Sequence, residues 1–277
     1  TGTNFNTTPA QNVVFFGATK ATVTAATFNS LTVTVPLGST YQLISATNLA
    51  TNLTAFADKI FNVTLAGSTI FNPKQDIAAG TNPRAVTIGD LDGDGKPDLA
   101  MVNSSTSPVT VIRNTSAGGV VSFGPKQDFG PSVQVQSVAI GDLDGDGKPD
   151  LAVSTFGSFT MQIYRNTSVP GTISFAAPVG FNGYYPKYAV IDDIDGDGKP
   201  DLAVACGSNR VIILRNLSTP GTILFDTKIE FSTPNYSQGV SLGDIDGDGK
   251  PDLAVTNDVS GNMSLLRNIS CPGSILF

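Results

Sequence analysis

The stretch GDLDGDGKPDLA, residues 89–100, sets four carboxylates within nine positions and runs at once into an apolar segment. Like charges this close repel, so the arrangement needs something to neutralise them. The chain nevertheless writes it four times, beginning at Asp90, Asp142, Asp193 and Asp244, at spacings of 52, 51 and 51 residues. A second marker keeps the same phase. GVVSF, GTISF, GTILF and GSILF end at Phe123, Phe175, Phe225 and Phe277, and GSTIF at Phe71 opens the series. Four repeats of about 51 residues therefore fill residues 71–277.

Within each repeat the order is constant. An alternating run such as QSVAI (136–140) leads into the acidic loop; DLAVSTF (150–156), TMQIYRN (160–166), a Pro/Gly turn and TISFAAPVGF (172–181) follow. That order predicts four short strands per unit, each bounded by turn chemistry. Four strands at a period near 50 residues is the pattern of β-propeller blades, each burying its faces against its neighbours. Composition agrees: 29 Gly, 17 Pro and a single Glu, Glu230, are poor material for helices. An all-β protein is expected.

Residues 1–66 do not repeat. VVFFG (13–17), ATVTAAT (21–27), SLTVTVP (30–36) and FNVTL (61–65) read as strands of a small β-sandwich. The stretch TGTNFN…VVFFG…LTVTVPLGS resembles the IPT/TIG family of immunoglobulin-like domains over about 65 residues, with the first strand of the family missing before Thr1. A sandwich short of one strand exposes an unpaired edge, so the expectation is either a fragment or a strand supplied by another chain. The domains expected are thus 1–66 and 67–277.

The acidic loop has the form D-x-D-x-D-G-x-x-D. Its alternate carboxylates converge as the backbone curls, and a set of hard oxygen ligands suits calcium far better than zinc. The chain has no His, and neither Cys206 nor Cys271 has metal-ligand spacing; each reads as a free buried thiol. Gly95 falls at position 6, where the loop must turn, and Lys96 at position 7 is the natural main-chain ligand. An EF-hand would close with Glu at position 12 between helices. Here position 12 is Met101, and KPDLAMV says strand.

This β-strand variant resembles the calcium loops of FG-GAP (integrin α-type) and VCBS-like repeats, which occur in β-propellers, over about 205 residues. The resemblance implies four calcium sites. The first is Asp90, Asp92, Asp94, the Lys96 carbonyl and Asp98; the second is Asp142, Asp144, Asp146, the Lys148 carbonyl and Asp150. The third is Asp193, Asp195, Asp197, the Lys199 carbonyl and Asp201; the fourth is Asp244, Asp246, Asp248, the Lys250 carbonyl and Asp252. Asp192 stands where the other repeats have Gly and reads as a bystander.

Charge points the same way. Sixteen of the 23 acids lie in these loops, leaving seven against 16 Lys and Arg elsewhere, and four divalent ions would carry the net charge from −7 to +1. A net acidic chain without a basic stripe argues against a nucleic-acid partner, and no apolar run is long enough for a membrane helix. Without His, the usual base and Ser/His/Asp systems are excluded, and the acids outside the loops form no evident pair, so no enzyme activity is expected. Tyr184 and Tyr185, in FNGYYPKY, are the candidate sugar-stacking residues. The Arg-Asn pairs at Arg113, Arg165, Arg215 and Arg267 recur in phase and read as repeat-level structure. Ten N-x-S/T sequons occur, four of them at the asparagines of those pairs.

The expectation is an extracellular or cell-surface, calcium-stabilised structural or adhesion protein. It is expected to assemble with other copies, or with other surface proteins, by strand exchange at open β edges. A lectin-like propeller that takes glycans, or a non-catalytic module of a larger secreted enzyme, are the alternatives.

Overall fold

A computed structural model describes residues 2–16, 19–35, 43–51, 53–60, 74–104, 109–130, 134–156, 158–182 and 185–277. Phe71, Tyr184 and the stretch FNVTL lie outside these residues. The chain divides into two compact units, Thr1–Asp76 and Ile77–Phe277.

The first unit contains β1 (Asn12–Phe16), β2 (Thr19–Ala26), β3 (Leu31–Thr34), β4 (Leu43–Asn48) and β5 (Leu53–Ile60). They form one antiparallel sheet in the order β3-β2-β1-β4-β5. Residues of β1 alternate inward and outward, so Val14 and Phe16 pack with Ala21. The sequence reading expected two facing sheets. Among the described residues there is one, because both edges of β1 are taken in the same ladder, by β2 and by β4. Strands β4 and β5 were not foreseen; their small and polar residues carry a weak hydrophobic alternation.

The second unit is a series of four antiparallel sheets, each in simple chain order. They are β6 (Pro83–Gly89), β7 (Asp98–Asn103), β8 (Val109–Asn114) and β9 (Phe123–Phe129); then β10 (Val135–Gly141), β11 (Asp150–Thr155), β12 (Thr160–Tyr164) and β13 (Val179–Asn182). The third sheet has β14 (Pro186–Asp192), β15 (Asp201–Cys206), β16 (Arg210–Leu214) and β17 (Ile229–Ser232), and the last β18 (Ser237–Gly243), β19 (Asp252–Asn257) and β20 (Asn262–Leu266). Four strands per repeat therefore holds for three sheets, and the described fourth sheet has three. Among the described residues no sheet closes on itself.

The core lies between consecutive sheets. Leu91, Ala100, Val102, Val109 and Val111 of the first repeat pack on Val138, Leu151, Val153, Tyr164 and Ile173 of the second. The same scheme joins the second repeat to the third and the third to the fourth. Both faces of β11 and β15 are buried, so their runs 151–153 and 202–206 are apolar without alternation. An edge-to-face ring pair spans each junction: Phe129 with Phe175, Phe181 with Phe225, and Phe231 with Phe277, at centroid separations of 5.1, 5.0 and 5.3 Å. Such pairs contribute about 0.5–1.5 kcal/mol beyond area burial. The phenylalanines that mark the repeat in the sequence are thus the contacts that join one repeat to its neighbour.

Candidate metal centres

Each acidic loop joins the first strand of a sheet to the second, and Asp98, Asp150, Asp201 and Asp252 are the first residues of β7, β11, β15 and β19. The loop curls on its own main chain. In the first, Asp90 Oδ1 accepts the N–H of Gly93 (2.9 Å) and of Asp94 (3.2 Å), and Asp90 Oδ2 accepts that of Gly95 (2.8 Å). Asp94 also donates to Asp92 Oδ1, and Lys96 to Asp94 Oδ1. Gly93 and Gly95 adopt φ of +73° and +82°, a region that a side chain would strain. The other three loops repeat these bonds.

The curl brings three carboxylates together in every repeat: Asp90, Asp92 and Asp94; Asp142, Asp144 and Asp146; Asp193, Asp195 and Asp197; Asp244, Asp246 and Asp248. One oxygen from each lies within 4.8 Å of the other two. Two oxygens bound to one calcium at about 2.4 Å lie at most about 4.8 Å apart, so the donor set fits a hard divalent cation. Asp90 Oδ1 accepts two N–H groups, whereas Asp90 Oδ2, Asp92 Oδ1 and Asp94 Oδ1 each accept one, which leaves each of these three a lone-pair direction for an ion.

The fourth aspartate of each loop stands apart from its triad. Asp98 accepts the N–H groups of Leu91 (2.9 Å) and Asn114 (2.7 Å), clamping the loop to β8. Asp150 does the same with Leu143 and Asn166, Asp201 with Ile194 and Asn216, and Asp252 with Ile245 and Asn268. Burial pushes the carboxyls of Asp150 and Asp201 up to about 6, against these hydrogen bonds, and raises Asp98 in the same direction. Asp252 goes the other way: the N–H groups of Asn268 and Ile245 outweigh desolvation and hold it below the ordinary carboxylate range.

The in-phase arginines prove to be counter-ions. Arg113 binds Asp92 through Nε and Asp94 through Nη2 (2.5 Å); Arg215 grips Asp195 and Asp197, both at 2.7 Å. Arg267 holds Asp246, and Asp248 at 3.1 Å, whereas Arg165 stands 4.0 Å from Asp144. Burial raises the Asp92 carboxyl, but the bonds from Arg113 and the Gly171 N–H prevail and lower it. The spacing, each arginine 22 or 23 residues after the first aspartate of its loop, is visible in the sequence, but the carboxylates it pairs with are not. Asp192 accepts the adjacent N–H of Asp193 and joins no triad.

The asparagines beside those arginines tie consecutive repeats together. Asn166, Asn216 and Asn268 each donate Nδ2 to a proline carbonyl of their own loop and to the carbonyl of Leu91, Leu143 or Ile194 in the preceding loop, at 2.7–2.9 Å. They are buried, so these three sequons present no free amide in the folded chain. In parallel, the turn N–H groups of Gly171, Gly221 and Gly273 reach the preceding loop at Asp92, Asp144 and Asp195 Oδ2, at 3.0, 2.9 and 2.9 Å. The middle aspartate of a triad is thus shared between its own loop and the next repeat. Cys206 is buried and Cys271 exposed, both free; the expectation of burial fails for Cys271 because it sits in the outward turn that closes its repeat.

A family model described as FG-GAP-like repeat matches residues 90–153 and 193–255. FG-GAP-like repeats are therefore present in two stretches of the chain, each starting at the first aspartate of a loop. Among solved structures, an auxiliary nutrient binding protein from Bacteroides ovatus is 10% identical over 99% of this chain and 80% of its own, with a TM-score of 0.40. Rhamnogalacturonan lyase PL11 of Bacillus licheniformis is 16% identical over 91% of this chain, with a TM-score of 0.46. The chain spans 55% of that lyase's length.

Proposed function

We propose that this chain is a calcium-stapled structural or adhesion module of the extracellular space, its repeats standing as successive propeller blades and its copies assembling with one another. The observation that carries the reading is the recurrence of an aspartate triad in phase in all four repeats, with the middle carboxylate bonded to the next repeat in three of them. The proposed ligands are the three triad carboxylates of each loop, joined by the main-chain carbonyls of Lys96, Lys148, Lys199 and Lys250 and by the remaining lone pairs of Asp98, Asp150, Asp201 and Asp252. Calcium supplies two positive charges where three or four negative ones converge. Millimolar calcium outside cells fills even weak sites of this kind, which supports an extracellular setting.

Equilibrium dialysis tests this directly, with four calcium ions per chain expected. Ligand binding stabilises a fold by about 2.7 kcal/mol per site at a hundredfold excess over Kd. Chelation is therefore expected to lower Tm and open the loops to protease. No uptake, or a Tm indifferent to chelator, sinks the reading.

A second reading, glycan binding, is favoured by one group of side chains. Phe159 and Tyr185, both exposed, hold φ of +55° and +52°, and their rings lie 4.1 Å apart beside Phe156. Bulky residues in this backbone region are strained, and such strain gathers at binding sites. Lys187 lies over the Phe156 and Tyr236 rings next to them. A glycan array probed in calcium tests this reading, and loss of any signal in Tyr185→Ala is its expected signature.

A further inference from the structure

Beside the rings that favour glycan binding stands a cation without a counter-ion. Lys187 is 6% exposed, the one buried Lys or Arg among the described residues. Among those residues no oxygen accepts from its Nζ; the ammonium lies over the Phe156 ring, 4.7 Å from the centroid, and over the Tyr236 ring at 4.9 Å. A ring face attracts a cation, but an ammonium has three N–H donors, so two rings leave at least one unused. A buried charge with no opposite charge is costly. Asn103 Oδ1 is the one side-chain polar atom among the described residues that is both sealed and unpartnered, so Lys187 Nζ keeps an opening to solvent.

The fold fixes the lysine in this place. Pro186 pairs with Cys206 and Tyr188 with Ala205, which makes Lys187 the extra residue of a β-bulge. A bulge re-aims a side chain. The Lys187 carbonyl accepts the hydroxyl of Ser154, a buried residue of the second repeat, at 2.8 Å. The same bulge puts Arg84, Gln136 and Gln238 at the equivalent position of the other sheets, and of the four residues only Lys187 is buried.

The neighbouring backbone is strained. Among the described residues six other than glycine have positive φ: Asn4, Asn82 and Asn209, of a type that tolerates this region, and Phe159, Tyr185 and Tyr236, at +55°, +52° and +62°. All three aromatic exceptions belong to this cluster. The Tyr236 ring meets the ammonium, and the Phe159 ring lies 4.1 Å from that of Tyr185, which in turn stands 6.0 Å from Phe156. Such strain in bulky residues gathers at ligand sites. Gly207 completes the cluster, since a Cβ there would stand 3.1 Å from Lys187 Cε and 3.3 Å from the Tyr236 ring. Lys187 is near the start of β14 and the acidic loop follows its end, about 20 Å along the strand. That exceeds the Debye length of about 8 Å, so the loop does not serve as its counter-charge.

We propose that this cluster binds sugars that carry a carboxylate, the hexuronate units of acidic glycans. The C–H face of the sugar ring lies on Tyr185 and Phe159, and the carboxylate accepts the open N–H of Lys187. This rests on the glycan reading above and names its ligand class. The rings need a flat apolar face and the ammonium needs an anion; a hexuronate presents both on one six-membered ring, whereas a neutral sugar leaves the ammonium unpaired.

A glycan array probed in calcium over a concentration series of protein tests it. The array carries oligomers of glucuronate and of galacturonate, the same oligomers with each carboxylate reduced to a primary alcohol, and sulfated oligomers of neutral sugars. Wild-type protein is expected to bind the uronates about tenfold more tightly than their reduced forms, the worth of one charge-assisted hydrogen bond. Lys187→Met keeps the length and packing of the stem and is expected to bind both forms equally. Tm and calcium uptake show whether the variant is folded; Lys187→Gln replaces it where it is not, and the wild-type comparison stands without either. Equal binding of acid and alcohol by the wild type overturns the proposal and leaves the glycan reading standing. An acid preference that survives loss of the lysine, or tighter binding of the sulfated oligomers, does the same. A wild-type protein that binds no glycan overturns both the proposal and the reading beneath it.

Discussion

The third and fourth acidic loops are identical for twelve residues, DIDGDGKPDLAV at 193–204 and at 244–255, yet they do not have the same physical character. In the third, Ile194 is buried, Asp195 receives a turn N–H from the next repeat, and Asp201 is pushed up to about 6 by burial. In the fourth, Ile245 is exposed, the triad is exposed throughout, and Asp252 is lowered. Identical local sequence gives identical local hydrogen bonds. What differs is the sheet that covers the third loop, and with it the desolvation of every group beneath. The repeat is therefore a unit of backbone geometry, while the junction is the unit of stability, as expected where each element can bury its apolar face only against a neighbour.

The sharpest way to break this comparison is to remove the same apolar volume on the covered and on the uncovered face. Ile213→Ala should cost about 2–5 kcal/mol in urea unfolding, as core truncations do. Leu265→Ala at the equivalent place should stay within about 0.5 kcal/mol in the monomer, as surface substitutions do. Equal losses would mean that the junction does not govern stability.

Next come the asparagines. Asn216→Ala strands the carbonyls of Pro200 and Leu143 and the N–H of Ser218, and should destabilise by about 3 kcal/mol or more at about 1–3 kcal/mol per unsatisfied group. Asn114→Ala strands the Pro97 carbonyl and the Ser116 N–H, one group fewer, and should cost about two thirds as much. A reversed order in chemical denaturation would remove the pinning role assigned to these side chains.

Carboxyl titration in chelator sharpens the electrostatic half. Asp150 and Asp201 should titrate near 6, well above the unfolded value of 3.8, in carbon-13 NMR, whereas Asp252 should titrate below 3.8. A raised folded pKa means that the folded state holds protons that the unfolded state has released. The contribution of Asp150 and Asp201 is therefore complete below pH 3.8 and is lost as pH rises through about 6. Asp252 has the opposite sign, its contribution being lost as pH falls through its lowered value. Calcium, by favouring the charged form, should pull the titrations of Asp150 and Asp201 down and abolish that loss.

The smallest effect concerns the cysteines. Burial raises the Cys206 thiol to about 12, so only Cys271 should react with a thiol reagent in the folded protein. Two rapid equivalents would show that the third sheet is open where the structure has it closed.

Much of this was legible in the letters. The in-phase Asp-Gly loops located every triad, because a carboxylate three residues before a glycine amide curls the chain whatever surrounds it. Hydrophobic runs between turn residues located the strands of the second unit for the same reason. The first unit was harder, since β4 and β5 lack a clear alternation and the expected pair of facing sheets is one sheet among the described residues. The role of the arginines, the separate place of Asp98 and its counterparts, and the asparagine ties were hidden because each involves a partner about 7 to 75 residues away.

By itself, then, the sequence determined what short-range chemistry determines: the period, the strands, the turns and the convergence of three carboxylates in each loop. Tertiary structure alone decided which copies of that motif are buried, which aspartates are raised or lowered, and which faces remain uncovered. Desolvation and apolar burial depend on whatever lies across the junction, and twelve identical residues cannot encode a neighbour.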